Sequence, residues 1–309
     1  STGACGKHVL STLLESPEIS EVYSFVRKPT NRFTDNPKHH EIVMTAPDPA
    51  LPLSAYNKQF FPQTTPLTPE QLKNDQLLAG LEKDLKTNWP SQQVDVVFSG
   101  LATTIKTAGS EDRMFTIDYK MNDLIATYAK EKQVESYYLI SSVGANALSK
   151  FFYMRIKGQL DDRIAALDFQ HSKVYRPGML IGGERAEFRL GEWFLENLVV
   201  PFYPTSCCSS TSYFGRLAPI DVKDVGRSMV FDYLQFKYEK KMNLAQQLGQ
   251  QGAQKVALPK QLPPGPKLHS TVEGSGDIIQ RLHGSEQFLQ GINRAGPSPA
   301  TIELAKASL

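Results

Sequence analysis

Cysteine is scarce in this chain: three residues in 309, at Cys5, Cys207 and Cys208. Two are adjacent, and none forms a Cys-x-x-Cys pair or joins a Cys/His cluster. Neither a disulfide framework nor a structural zinc site is expected. Net charge is scarce too. Lys plus Arg number 34 against 32 for Asp plus Glu, leaving +2, so no domain-wide basic field is available to hold nucleic acid. No apolar run approaches the roughly 20 residues that span a bilayer. What is present, 40% hydrophobic and 21% charged residues, is an ordinary globular mixture long enough to bury a sizeable core. The composition reads as a soluble intracellular protein without a bound metal.

The chain opens on Ser1-Thr2-Gly3-Ala4-Cys5-Gly6-Lys7, a glycine-rich turn. Turns of this kind follow a strand, so either a removed leader or a first strand is expected ahead of it. Lys7 to Leu14 places Val9, Leu10, Leu13 and Leu14 on one helical face. Glu21 to Val26 reads as a strand, and Glu41 to Met44 as another. Residues 46–92 break the rhythm; they are rich in Pro, Gln, Asn and Thr, hold one helical candidate at about Glu70 to Asp84, and read as an insertion. Val94 to Phe98 is a continuous apolar run suited to a doubly covered strand. Then come a helix from about Asp118 to Lys132 with Leu124, Ile125, Tyr128 and Ala129 inward, and a strand at Tyr137 to Ile140. A helix from Phe151 to Leu167 and a strand at Ser172 to Tyr175 follow, and after residues 220–226 a helix to about Tyr238. Strand–helix alternation at this spacing predicts an α/β fold, a doubly wound parallel sheet, over residues 1–238. Residues 239–309, with Pro263-Pro264 and several Gln pairs, read as an extended tail that wraps the domain or grips a partner.

Three features carry chemistry. Gly3 and Gly6, three apart ahead of a helix, would let backbone N–H groups approach a pyrophosphate at the helix N-terminus. A P-loop is excluded, because His8 stands where Ser or Thr would bind magnesium. The second predicted strand ends in Arg27-Lys28, and no acid follows until Asp35. A guanidinium there accommodates the 2′-phosphate of NADP, whereas NAD sites place a carboxylate to accept from the ribose hydroxyl. The most specific feature is Ser141-Ser142 at a strand end, followed by Tyr153 and Lys157 four residues apart on one helical face. A lysine ammonium beside a phenol favours phenolate, and a serine hydroxyl can hydrogen-bond a substrate carbonyl. Ser142 is the preferred serine, with Ser141 the alternative.

These stretches, with residues 98–104 (FSGLATT), 139–146 (LISSVGAN), Gly158, Leu160 and Arg176-Pro177-Gly178, resemble the short-chain dehydrogenase/reductase superfamily. More narrowly, they resemble its atypical Tat-interacting-protein oxidoreductase group, especially the fungal mitochondrial members. The resemblance covers roughly residues 1–45 and 94–235. It implies a Rossmann-type domain binding NADP(H). Thr2, Gly3, Cys5 and Gly6 would cradle the pyrophosphate, Arg27 and Lys28 would meet the adenosine phosphate, and Gly100 and Leu101 would lie beneath adenine or ribose. Ser142, Tyr153 and Lys157 would form the catalytic set, Tyr153 and Lys157 also touching the cofactor, with Pro177, Gly178 and Met179 beside the nicotinamide. It further implies a mitochondrial location and peripheral membrane contact.

The remaining candidates carry less. His39-His40 reads as a solvated pair, Glu111-Asp112-Arg113 as a helix-entry charge cluster, and Trp193, Phe194 and Leu198 as core or pocket wall. Cys207-Cys208 has no base nearby, and Lys237 to Lys241 reads as a solvated helix face. Two functions compete: an NADP-dependent oxidoreductase acting on an unidentified carbonyl or alcohol, and a catalytically silent NADP(H)-binding subunit of a larger assembly. In the second, residues 46–92 and 239–309 would hold a protein partner.

Overall fold

Apolar stripes and β-branched runs set the local structure. The computed structural model describes residues 3–30, 32–33, 35–45, 75–183, 219–252 and 271–274. Helix α1 (Gly6–Glu15) buries Val9, Leu10, Leu13 and Leu14, the face its periodicity predicts. Strands β1 (Val22–Val26) and β2 (His39–Val43) pair in parallel, with Val22 opposite His39 and Val26 opposite Val43. Helix α2 (Gln76–Asn88) is capped by Asp75, whose carboxylate accepts from the amides of Leu77 and Leu78. Strand β3 (Val96–Ser99) leads through two short helices, α3 (Ile105–Ala108) and α4 (Glu111–Phe115), to a π-turn (Thr116–Lys120) and helix α5 (Met121–Glu131). Strand β4 (Ser136–Ile140), helix α6 (Phe152–Ala166) and strand β5 (His171–Arg176) follow. The short strands β6 (Leu180–Ile181) and β7 (Ile220–Asp221) pair in parallel, helix α7 runs from Val222 to Gly252, and β8 covers Thr271–Gly274.

The main sheet is parallel throughout, in the order β3-β4-β5-β8, and β1-β2 forms a second parallel pair. Adjacent residues of β4 point to opposite faces. Tyr138 joins α1 and α7 in one core, with Val9, Leu13, Val225, Met229 and Tyr233. Tyr137 and Leu139 join α4, α5 and α6 in the other, with Phe115, Ala126, Ile156, Leu160 and Ile164. Helices on both faces of a parallel sheet make this the expected doubly wound α/β fold. Each fully buried Ile or Leu of α6 contributes about 2 kcal/mol. Close approach also decides one glycine: a Cβ at Gly226 of α7 would lie 2.8–3.1 Å from His8 Cβ, Val9 N and Cys5 O. That contact presses α7 against the start of α1.

Several boundaries differ from the sequence reading. The helix expected from Asp118 begins at Glu111, because the charged Glu111-Asp112-Arg113 is its first turn, capped by Ser110 through the Arg113 amide. Ile125 and Tyr128, expected inward, are only half-buried, while Met121, Asn122 and Asp123 are buried instead. The π-turn shifts the helical phase between the two segments. The helical candidate at Glu70 to Asp84 lies at Gln76–Asn88. The last helix passes Tyr238 and reaches Gly252, and Thr271–Gly274 adds a parallel strand beside β5, so part of the expected tail is regular structure. His39 is half-buried and shares a 2.7 Å hydrogen bond with Ser24, whereas exposed His40 stacks on Tyr23. Thr2, residues 46–74, Trp193, Phe194, Leu198, Cys207 and Cys208 lie outside the described residues. Among the described residues no helix is long and apolar enough to cross a membrane.

Candidate active site

The site forms where the parallel strands end. Beyond β4 and β5 the ladder continues through two backbone bonds: the Ser141 amide donates to Tyr175 O at 2.7 Å, and the Val143 amide to Pro177 O at 3.0 Å. This stitching sets Ser142 beside the Pro177-Gly178-Met179 segment. The chain then turns through Gly144, whose φ of +76° suits glycine, and re-enters α6 with Tyr153 in its first turn. A cavity of about 210 Å³ opens between these elements, lined by Ser141, Ser142, Tyr153, Pro177, Gly178, Met179 and Leu180. Five residues singled out from sequence, together with the alternative serine, therefore face one space. Ser142 is half-buried and its hydroxyl donates to Val143 O at 3.3 Å; Ser141 is buried.

The loop joining Ser142 to Tyr153 is tightly held. The Asn146 amide donates to Met154 O at 3.0 Å, the Leu148 amide to Asn146 Oδ1 at 2.8 Å, and Arg155 Nη1 to the carbonyls of Ser149 and Lys150 at 2.7 and 3.0 Å. Gly158 makes this possible. A Cβ there would lie 2.2 Å from Ala147 N and Asn146 C, so only glycine lets α6 and the loop touch backbone to backbone.

Lys157 is placed differently from the expectation that it shares the crevice with Tyr153. It is 1% exposed, does not line the cavity, and its ammonium lies 3.4 Å from Asp118 Oδ2 on the π-turn. Asp118 Oδ1 accepts from the Thr103 amide at 2.7 Å. Burial pushes the Asp118 carboxyl above its usual range, opposed by the Lys157 ammonium and the Thr103 amide. Its neighbour Asn122, also buried, accepts from Ser99 Oγ at 2.5 Å and donates to Leu101 O at 3.0 Å. Together Asp118 and Asn122 tie the segment after β3 (Gly100, Leu101, Thr103) to the helix that carries Lys157's partner. Sequence reasoning missed both; the available signal was two polar residues on what should be a helix's buried side.

Of the dinucleotide candidates outside the cavity, Gly3, Arg27, Lys28 and Gly100 are exposed. Gly3 is exposed and a Cβ there would meet nothing within 4 Å, while Cys5 is buried as the residue preceding α1. Gly6 opens α1 and is half-buried. Arg27 and Lys28 are exposed just beyond β1. The turn that carries them is pinned by Thr30, whose amide donates to Glu41 Oε1 of β2 at 2.9 Å and whose hydroxyl donates to Oε2 at 2.5 Å. Gly100 is exposed and Leu101 half-buried at the end of β3. An exposed glycine turn at a helix N-terminus, two exposed cations past the next strand, and a cavity at the strand ends fit the parts of a dinucleotide.

The architecture is that of a doubly wound, Rossmann-type α/β protein with its site at the carboxyl ends of parallel strands. Protein FMP52, mitochondrial, of Candida albicans is 36% identical over 174 residues, covering 54% of this chain and 73% of that protein. Protein FMP52, mitochondrial, of Saccharomyces cerevisiae is 34% identical over 187 residues, covering 59% of this chain and 63% of that protein. The chain belongs to the FMP52 family. No family model matches it. Among solved structures, a short-chain dehydrogenase/reductase family oxidoreductase from Burkholderia thailandensis is similar at 16% identity and a TM-score of 0.45, covering 74% of this chain and 80% of that one.

Proposed function

We propose that the chain is an NADP(H)-dependent oxidoreductase of the atypical short-chain type, of the Tat-interacting-protein group, acting on a carbonyl or alcohol in mitochondria. The observation that carries this reading is the shared cavity of Ser142, Tyr153 and Pro177-Gly178-Met179. The mitochondrial placement follows the names of the FMP52 relatives. When bound, the nicotinamide supplies or accepts a hydride at the substrate's carbonyl carbon. Gly3, Cys5 and Gly6, with Thr2, would hold the pyrophosphate, Arg27 and Lys28 the 2′-phosphate, and Gly100 and Leu101 the adenosine. In the reducing direction the Ser142 hydroxyl donates to the carbonyl oxygen and holds it in place, and Tyr153 Oη gives that oxygen its proton. Lys157 acts from behind, its ammonium supporting the negative charge that then develops on Tyr153. The Pro177–Met179 segment forms the wall beside the nicotinamide.

Expected outcomes are direct. Over a panel of aldehydes, ketones and quinones, wild-type protein should oxidise NADPH at least about 100-fold faster than Tyr153→Phe; equal rates would remove the catalytic role. Arg27→Asp should weaken NADPH binding about tenfold or more while leaving NADH nearly unchanged; equal loss for both would remove the NADP preference.

One observation favours a second reading, the silent NADP(H)-binding subunit: the Lys157 ammonium is committed to a buried carboxylate and stands outside the cavity. In that case residues 46–92 and 239–309 would hold the partner, and peripheral membrane contact would come through the assembly. NADPH binding without turnover, lost on Arg27→Asp but not on Tyr153→Phe, is its signature.

A further inference from the structure

Lys157 has carboxylates on two sides. Asp118 approaches from the π-turn at 3.4 Å. Asp161 stands one turn further along α6, so Tyr153, Lys157 and Asp161 repeat at intervals of four on one helical face. Asp161 is 4% exposed. Its Oδ2 accepts from Arg176 Nε at 2.7 Å, and Arg176 is the last residue of β5, directly ahead of the Pro177–Met179 wall. Burial pushes the Asp161 carboxyl upward, opposed first by the Arg176 guanidinium and also by Lys157. Asp118 on the π-turn and Asp161 on α6 act on Lys157, Arg176 on β5 acts on Asp161, and Tyr153 lies one turn before Lys157 on α6. The next turn of α6 carries Arg163, already bonded to Asp123 of α5 at 2.7 Å.

We propose that Asp161 and Arg176 are a positioning pair for the proton-transferring tyrosine. Arg176 neutralises Asp161, so the Lys157 ammonium answers to one carboxylate, Asp118, rather than two, and keeps a positive field on Tyr153. The same bond anchors the end of β5 to α6, which holds the Pro177–Met179 wall opposite Tyr153. The proposal rests on the oxidoreductase reading and adds to it a four-charge set, two cations and two anions, in which each removal has a predictable sign.

The test is the pH profile of carbonyl reduction, followed as NADPH oxidation with an aldehyde, ketone or quinone that wild type reduces and Tyr153→Phe does not. Because the reduction consumes a proton delivered to the carbonyl oxygen, the profile should have an alkaline limb. Asp161→Asn leaves Arg176 uncompensated, favours phenolate, and should move that limb to lower pH by about one unit. Adding Arg176→Met restores the charge balance and should return the limb close to wild type. Asp161→Glu keeps the charge and should keep the limb. An unmoved limb in Asp161→Asn, or a double variant as displaced as the single, overturns the proposal. Should Asp161→Asn fail to fold, Arg176→Met decides alone: it leaves Asp161 uncompensated and should raise the limb, and an unmoved limb or a shift to lower pH overturns the proposal. Absence of turnover in wild type sinks the oxidoreductase reading itself; an enzyme that needs Tyr153 but ignores Asp161 sinks only this inference.

Discussion

Replacing Gly158 with alanine tests the contact on which the site's geometry depends. The added Cβ would lie 2.2 Å from both Ala147 N and Asn146 C and 2.5 Å from Asn146 N. Ordinary contact begins near 3.4 Å, so helix and loop must separate by 3.4 − 2.2 = 1.2 Å, and the obstructing atoms are backbone. Overpacking of this kind costs about 1–3 kcal/mol. Separation also breaks the 3.0 Å bond from the Asn146 amide to Met154 O, a further loss of about 1 kcal/mol. Alanine's better helix propensity returns about 1 kcal/mol. The net expectation is a destabilisation of about 1–3 kcal/mol, read as a lower urea midpoint at unchanged slope. Because the displaced loop joins Ser142 to Tyr153, a shift near 1 Å should also cost about 100-fold in turnover. Gly100→Ala is the control, since its Cβ meets only the flexible end of Ile140 at 3.2 Å; it should stay within about 0.5 kcal/mol. A Gly158→Ala protein as stable and as active as wild type would show that helix and loop are not locked together.

Two further outcomes concern buried charge. Lys120 on the π-turn is 6% exposed, with its ammonium 5.4 Å from the Phe115 ring centre, and burial pulls it below the usual lysine range against the pull of Asp75 and Asp112. A folded-state value below the unfolded one penalises the charged form, fully so below the folded value, and the penalty disappears as pH rises past the unfolded value of 10.5. Lys120→Met should therefore stabilise the protein on the order of 1 kcal/mol near neutral pH, and thermal scans should show that advantage shrinking toward pH 10.5; a constant or growing difference contradicts it. Asp232 of α7 accepts from Lys173 Nζ at 2.7 Å and from the Tyr175 hydroxyl, all three buried. Asp232→Leu should cost about 3–5 kcal/mol in denaturant unfolding, and adding Lys173→Met should recover much of it; additive losses would mean the pair is not coupled.

The helices and strands that follow a clean period were legible in the chain. The α1 stripe needs nothing beyond 3.6-residue spacing, and the strand ends at Ser141-Ser142 and Arg176-Pro177-Gly178 are marked by the change from apolar to small or rigid residues. Elements without such a pattern were not. The helix around residues 111–131 breaks phase at its π-turn, so one continuous stripe does not run through it. Residues 239–252 carry helix-forming Lys, Leu and Gln but no apolar stripe, and Thr271–Gly274 is a strand because β5 offers an edge. Four residues offer no local signal of that kind.

In the same way, residue type alone determined which side chains could do chemistry: a hydroxyl, a phenol, an amine and two cations, at spacings that local helix and strand geometry makes meaningful. Tertiary structure decided which of them meet. Tyr153 reaches the cavity and Lys157 does not, because the π-turn places Asp118 against the amine. Asp118, Asn122 and Asp161 carry in the sequence no sign of the groups they meet. Their role depends on partners 15 to 39 residues away, in Arg176, Ser99 and Lys157. Periodicity is a property of neighbours along the chain, whereas the pairing of buried charges is a property of surfaces brought together by folding.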